Sequence, residues 1–266
     1  MIDEVAALVR EAAATAVLPM YRRLAETDVR EKAPGDLVTV ADRRAEEFLT
    51  AGLRRLLPGS VVVGEEGVGA DPTRLDLLRG TGDVWVVDPL DGTANFAAGH
   101  PPFVVMVALL RAGAPVASWI YDPIAESLAV AERGAGAYLD GRRIVAAAEQ
   151  PARSVLRGPA MIRFLPTRLR AGAEAGSAEL GEVLTGQHCA GREYLDIIAG
   201  RQHFALFWRT LPWDHAPGAL LVREAGGAAR RFDGGPYDPV DDRSGLLVAA
   251  TEEIWQTVSE TLLPDR

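Results

Sequence analysis

The stretch Trp85-Val86-Val87-Asp88-Pro89-Leu90-Asp91-Gly92-Thr93 constrains this chain more than any other. An apolar, β-branched run ends abruptly in a carboxylate and a second follows three residues later, which predicts a buried strand delivering two acids to its C-terminal rim. Open α/β sheets bind their ligands at that rim. Pro89 and Gly92 punctuate a turn between the acids, and Gly92-Thr93 opens a short helical run whose free N–H groups attract an anion. Two carboxylates beside an anion hole point to metal plus phosphate. Mg²⁺ takes oxygen ligands from one or two carboxylates and completes its shell with water and substrate phosphate. Taken alone, Asp-x-x-Asp reads as an acidic turn closing a strand; the flanking segments are what favour a site.

With 266 residues the chain can bury a sizeable core, as one large α/β unit or two closely packed halves. A net charge of −9 argues against nucleic acid as a partner. It does not exclude phosphate esters, because a bound divalent cation inverts the local sign. The single cysteine, Cys189, leaves no intrachain disulfide and no cysteine-based zinc cluster. No apolar run reaches the length of a membrane span, and Met1-Ile2-Asp3-Glu4 lacks the profile of a signal peptide. The expected address is cytoplasmic, with no membrane partner.

Val5, Leu8, Val9, Ala12, Ala13 and Ala16 recur at helical spacing, and Pro19 interrupts that helix. Lys32-Ala33-Pro34-Gly35-Asp36 reads as an exposed mobile loop, followed by the β-leaning segment 37–40. Asp42 then reads as the N-cap of a helix defined by Ala45, Phe48, Leu49, Leu53 and Leu56. Val61-Val62-Val63 is a short strand ending in Gly64-Glu65-Glu66, and Gly67, Gly69 and Pro72 suggest a flexible flap beyond it. A meander is expected over 103–110, 116–121 and 127–132, with a hairpin turning at Asp140-Gly141.

Residues 1–144 therefore form an α+β half carrying most of the acids. Gln150-Pro151 marks a boundary, and 145–266 form an α/β half that contributes Asp214 and pocket residues. In this second half we expect a strand over 154–157, a helix over 166–175, a loose small-residue stretch over 171–177 and a strand over 204–207. A helix starting at or near Asp214, with Pro217 in its first turn, should stop at Gly226-Gly227. Asp214 reads either as an N-cap or as a ligand supplied by the second half. A strand over 245–250 and a final helix capped by Thr251 close the chain.

Gly64-Glu65-Glu66, Asp88-Pro89-Leu90-Asp91-Gly92-Thr93 and Trp213-Asp214 with Glu224-Ala225-Gly226-Gly227 together resemble the inositol monophosphatase family of Mg²⁺-dependent, lithium-sensitive phosphatases. The resemblance runs nearly end to end. It implies a layered αβαβα fold of the sugar-phosphatase type, a small phosphate monoester as substrate, and a homodimer. It further implies that Glu65, Asp88, Asp91, Asp214 and the Leu90 carbonyl hold two or three Mg²⁺ ions. Gly92 and Thr93 N–H groups would then bind phosphate, while Thr93 with Asp42 helps activate the attacking water and Glu65 orients it. Lys32 lies near the family's loop lysine.

Departures from the family concern the alcohol. Phe207 stands where inositol-hydrolysing members offer an acid, Ala94 replaces a common Thr, and His188-Cys189-Ala190-Gly191 is an unusual version of the loop lining the substrate pocket. His188 reads either as a surface loop residue or as a substrate contact. Histidinol phosphate, 3′-phosphoadenosine phosphates and fructose bisphosphate, acted on by related enzymes, are therefore alternative substrates. A regulatory protein-binding module with a vestigial site is the alternative from another class.

Overall fold

The computed structural model describes residues 1–145 and 151–265, so Gln150 of the expected boundary lies outside the described residues. Val5, Leu8, Val9 and Ala12 bury one stripe of α1 (Ile2–Ala12), which widens into a π turn and then tightens into a 3-10 turn at Pro19. The segment expected to be a mobile loop is instead a hairpin, β1 (Val29–Ala33) with β2 (Asp36–Thr39). Only Pro34 and Gly35 form its tip, because the ladder and the charges around Lys32 hold the flanking residues. Next come α2 (Val40–Leu56), β3 (Val61–Gly64) and α3 (Glu65–Ala70). The expected flap is thus helical, continued by a 3-10 segment over Pro72–Arg79.

The central strand, β4 (Asp83–Asp91), leads into α4 (Thr93–Ala97). The meander follows as β5 (Val104–Arg111), β6 (Ala114–Asp122), β7 (Ser127–Glu132), β8 (Gly136–Leu139) and β9 (Arg142–Ile144). Strands β3 to β9 lie side by side in sequence order, β3 parallel to β4 and the rest antiparallel.

In the second half a 3-10 turn occupies Arg153–Val155 and the strand expected there comes later, as β10 (Arg157–Pro159). Helix α5 (Thr167–Ser177) includes the stretch expected to be loose. Its small residues are needed for contact: a Cβ on Gly176 would stand 1.9 Å from the Thr261 carbonyl oxygen. There follow β11 (Glu182–Leu184), α6 (Ala190–Ile198), β12 (Phe204–Phe207), α7 (Pro212–Glu224), β13 (Ala228–Arg230), β14 (Leu246–Ala249) and α8 (Glu252–Leu262). Strands β12, β14 and β13 form an antiparallel sheet in that order.

Alternation of side chains stacks these parts into five layers. Trp85 and Val87 of β4 face Leu49 and Leu53 of α2 and Val5 and Val9 of α1, whereas Val84 and Val86 belong with Leu220 and Leu221 of α7. On β12, Ala205 and Phe207 join that same α7 layer, while Phe204 and Leu206 face Leu169 of α5 and Val258 of α8. The order is helix, sheet, helix, sheet, helix, the αβαβα fold. A strand with both faces covered must be apolar throughout, which is why β4 reads as an uninterrupted run up to Asp88. One apolar cluster crosses residue 145, since α7 packs on the seven-stranded sheet.

Candidate active site

Because β3 and β4 are parallel, with Gly64 opposite Val87, their next residues, Glu65 and Asp88, leave the sheet at the same edge. The expected turn after Asp88 is a bulged strand: Asp91 still pairs with Val104, and the ladder is interrupted between the two acids. A bulge re-aims the side chains that follow it. The Leu90 N–H donates to Asp88 Oδ1 at 3.0 Å. Gly92 closes the strand at φ +93°, and a Cβ there would lie 2.8 Å from the Pro102 carbonyl oxygen, so glycine alone fits between strand and α4.

Helix α7 begins at Pro212, near the expected start, which places Asp214 third in its first turn and puts Pro217 in its interior rather than in the first turn. Asp214 is therefore not the N-cap, and the helix N-terminus favours its negative charge. Glu65, Asp88, Leu90, Asp91, Gly92, Thr93 and Asp214 all border one cavity of about 820 Å³, and so do His188, Ala190 and Phe207. Residues from both halves are brought together there.

Asp42 sits beneath this cavity, fully buried. The N-cap of α2 is Thr39, whose hydroxyl oxygen accepts from Ala41 N. Asp42 is third in the helix and accepts from Thr39 N at 2.8 Å through Oδ2. Its other oxygen accepts from Thr93 Oγ1 at 2.8 Å. Cap and site contact are therefore two oxygens of one carboxylate. Burial pushes its pKa up to about 6, against the hydrogen bonds from Thr39 and Thr93 that lower it.

Crowding sets the electrostatics of the remaining acids. Burial first, then repulsion from Glu65, Asp91 and Asp214, holds Asp88 well above the usual carboxylate range. Asp214 is raised in the same way by burial and then by Asp91 and Glu65. Burial lifts Asp91 to about 6, although Gly191 N donates to its Oδ2 at 2.6 Å. Glu65 is raised by burial and relieved by Lys32, whose ammonium donates to Glu65 at 2.7 Å and to Glu66 at 3.0 Å.

Such a donor set fits a hard divalent cation, since oxygen ligands that repel one another need positive charge between them. Among the described residues, no three acid, imidazole or thiol groups stand as a ready-formed ligand shell. Two of the acids are engaged by neighbours instead: Lys32 bonds Glu65, and Gly191 N with the Cys189 thiol bonds one oxygen of Asp91. A cation would have to displace the ammonium from Glu65.

Two contributors escaped the sequence. Glu46 is buried on α2, and its carboxylate accepts from Glu66 N and Gly67 N, both at 2.8 Å, fixing the first turn of α3 and hence Glu65. The available signal was an acid one turn after Asp42, inside the apolar stripe of Ala45 and Leu49. Glu193, also buried, accepts from Gln187 N at 2.7 Å, while Asn95 Nδ2 donates to Gln187 O at 2.9 Å. These bonds pin the loop that carries His188, which is exposed at the cavity with φ +54°.

Phe207 is only 5% exposed, stacked on Tyr194 and tilted against His215. Burial lowers the His215 pKa to about 3, so its ring is neutral. Its partners assign the proton to Nε2, which faces the Arg209 carbonyl at 3.0 Å, leaving Nδ1 to accept from the Tyr194 hydroxyl at 2.9 Å.

A sequence model of the inositol monophosphatase family matches residues 1–264. The chain is 34% identical over 244 residues to an inositol-1-monophosphatase of Rhizobium meliloti (strain 1021), covering 87% of this chain and 84% of the relative. It is 31% identical over 264 residues to the Nus factor SuhB of Pseudomonas aeruginosa, covering 91% and 88%. The crystal structure of the extragenic suppressor protein suhB from Bartonella henselae superimposes with a TM-score of 0.78 at 28% identity, covering 97% of this chain and 98% of that one.

Proposed function

Because the chain belongs to the inositol monophosphatase family, we propose that it is a Mg²⁺-dependent phosphomonoesterase that hydrolyses small phosphorylated alcohols by attack of water on phosphorus. The observation that carries the proposal is the bond from Thr93 Oγ1 to Asp42 Oδ1 at the floor of an acid-lined cavity. A hydroxyl aimed at a buried carboxylate is arranged to pass on a proton.

Glu65, Asp88, Asp91, Asp214 and the Leu90 carbonyl are the groups that would hold the metal. Bound there, Mg²⁺ would neutralise phosphate oxygens and lower the pKa of a water. Thr93 Oγ1 has one proton and two acceptors in reach, Asp42 Oδ1 at 2.8 Å and Leu90 O at 2.9 Å. Commitment of the proton to Asp42 leaves the hydroxyl lone pairs to accept from the attacking water. It also leaves the Leu90 carbonyl free for a cation. The N–H groups of Gly92 and Thr93, at the start of α4, would offer partial positive charge to a phosphate oxygen.

Release of inorganic phosphate from inositol 1-phosphate, glycerol 2-phosphate and histidinol phosphate with Mg²⁺ tests the reading. Silence toward every monoester would overturn it, and full turnover in excess chelator would overturn the metal. The relative named as a Nus factor favours a second reading, a protein-binding role. Such a role gives no reason to keep Glu65, Asp88, Asp91, Thr93 and Asp214 around one cavity, whereas catalysis does. A homodimer belongs to the same proposal on family resemblance, and light scattering tests it.

A further inference from the structure

We propose that Arg163, Phe164, Trp208 and Arg209 form a rim that selects phosphate monoesters whose alcohol carries a flat ring and a second negative charge. This rests on the phosphomonoesterase reading. The cavity has two unlike walls: the acids come mostly from the first half, and these four residues, all lining the same cavity, come from the second. Phe164 is 54% exposed, whereas every other aromatic side chain among the described residues is buried or half-buried. The Arg163 guanidinium lies over its ring, 4.5 Å from the centroid. Among the described residues neither Arg163 nor Arg209 makes an ion pair, although acidic side chains outnumber basic ones by 37 to 28 along the chain.

Both segments are tied from behind. Met161 N donates to Leu206 O at 3.0 Å, and the Arg170 guanidinium donates to the carbonyls of Arg163 and Leu165 at 3.0 and 3.1 Å. Gly245 N donates to Trp208 O at 2.9 Å, and His215 Nε2 holds Arg209 O. With both backbones fixed and Trp208 packed on Phe232, binding has only the exposed side chains left to order. The exposed aromatic face stacks on a planar group, and the guanidiniums bond a carboxylate or phosphate beyond it.

Calorimetry of three non-hydrolysable phosphonates with Mg²⁺ tests this apart from turnover: propylphosphonate, benzylphosphonate and (4-carboxybenzyl)phosphonate. Affinity should rise along that series. Arg163→Gln should remove about tenfold from the carboxylate's advantage over benzylphosphonate, and Phe164→Ala about fivefold from the ring's advantage over propylphosphonate. Binding of all three within twofold, or preferences that survive both substitutions, would overturn the rim. If the series holds while no monoester is hydrolysed, the rim stands and the phosphatase reading fails.

Discussion

The two walls of the cavity are built on opposite principles. The acid wall stands on strand ends and first helical turns, and four of its five acids have at least one oxygen engaged: Asp42 by Thr39 and Thr93, Glu65 by Lys32, Asp88 by Leu90, Asp91 by Gly191. The opposite wall presents Arg163, Phe164 and Arg209 from a 3-10 turn and a loop, exposed and without a salt bridge among the described residues. On the proposed reading, charge that meets phosphate is held rigidly, at a cost in repulsion, and the groups that meet the alcohol stay open to solvent. Reaction and selectivity would then be separated in one cavity by assigning them to different segments of the fold.

The largest effect should come from removing an acid. Asp88→Asn or Asp214→Asn is expected to lower kcat by about a thousandfold or more, since a lost ligand weakens both cation binding and phosphate neutralisation. The fold should not suffer. Relief of repulsion around Asp88 should leave the metal-free Tm unchanged or raised, measured by circular dichroism. Turnover within tenfold of the starting protein would abolish the distinction between the walls.

Asp42→Asn sharpens the same contrast, because Asn keeps one acceptor oxygen where two are in use. We expect kcat to fall by about 10²- to 10⁴-fold with a stability loss near 1 kcal/mol, and Thr93→Val to reproduce the kinetic loss alone. Unchanged turnover would reduce Asp42 to its place in the α2 cap. Phe207→Glu probes the seam between the walls. With Tyr194 and a neutral His215 against the ring, a carboxylate there would be buried without a partner, and a loss of about 3 kcal/mol is expected in a urea titration. A variant of full stability with a new preference for inositol 1-phosphate would show that the seam belongs to the reading wall.

The smallest effect tests the support of the acid wall. Glu46→Gln leaves an amide oxygen for only part of what two carboxylate oxygens accept from Glu66 and Gly67. The Mg²⁺ concentration for half-maximal rate should rise about tenfold, as for other residues that orient a ligand. An unchanged Mg²⁺ requirement would make Glu46 a plain helix-packing group.

Local pattern carried much of this protein. The apolar run before Asp88 is legible because both faces of β4 are covered. The Thr251 cap and the Gly226 stop are legible because helix ends impose their chemistry within a few residues. At Lys32 the Pro and Gly of the tip signal a loop more strongly than the short ladder signals a hairpin. From its own segment Asp42 reads as a cap, a role that Thr39, three residues earlier, holds, while the family resemblance pairs Asp42 with Thr93.

What the sequence by itself determined was the order of buried strands and amphipathic helices and the acids at their ends, since burial periodicity is a local property of the chain. Tertiary structure alone decided which groups meet. Thr93 reaches Asp42 across 51 residues, and the turn carrying Phe164 is aimed by Leu206 of β12. An exposed aromatic or arginine has no periodic signature, and its part in a cavity comes into being only when distant segments dock beside it.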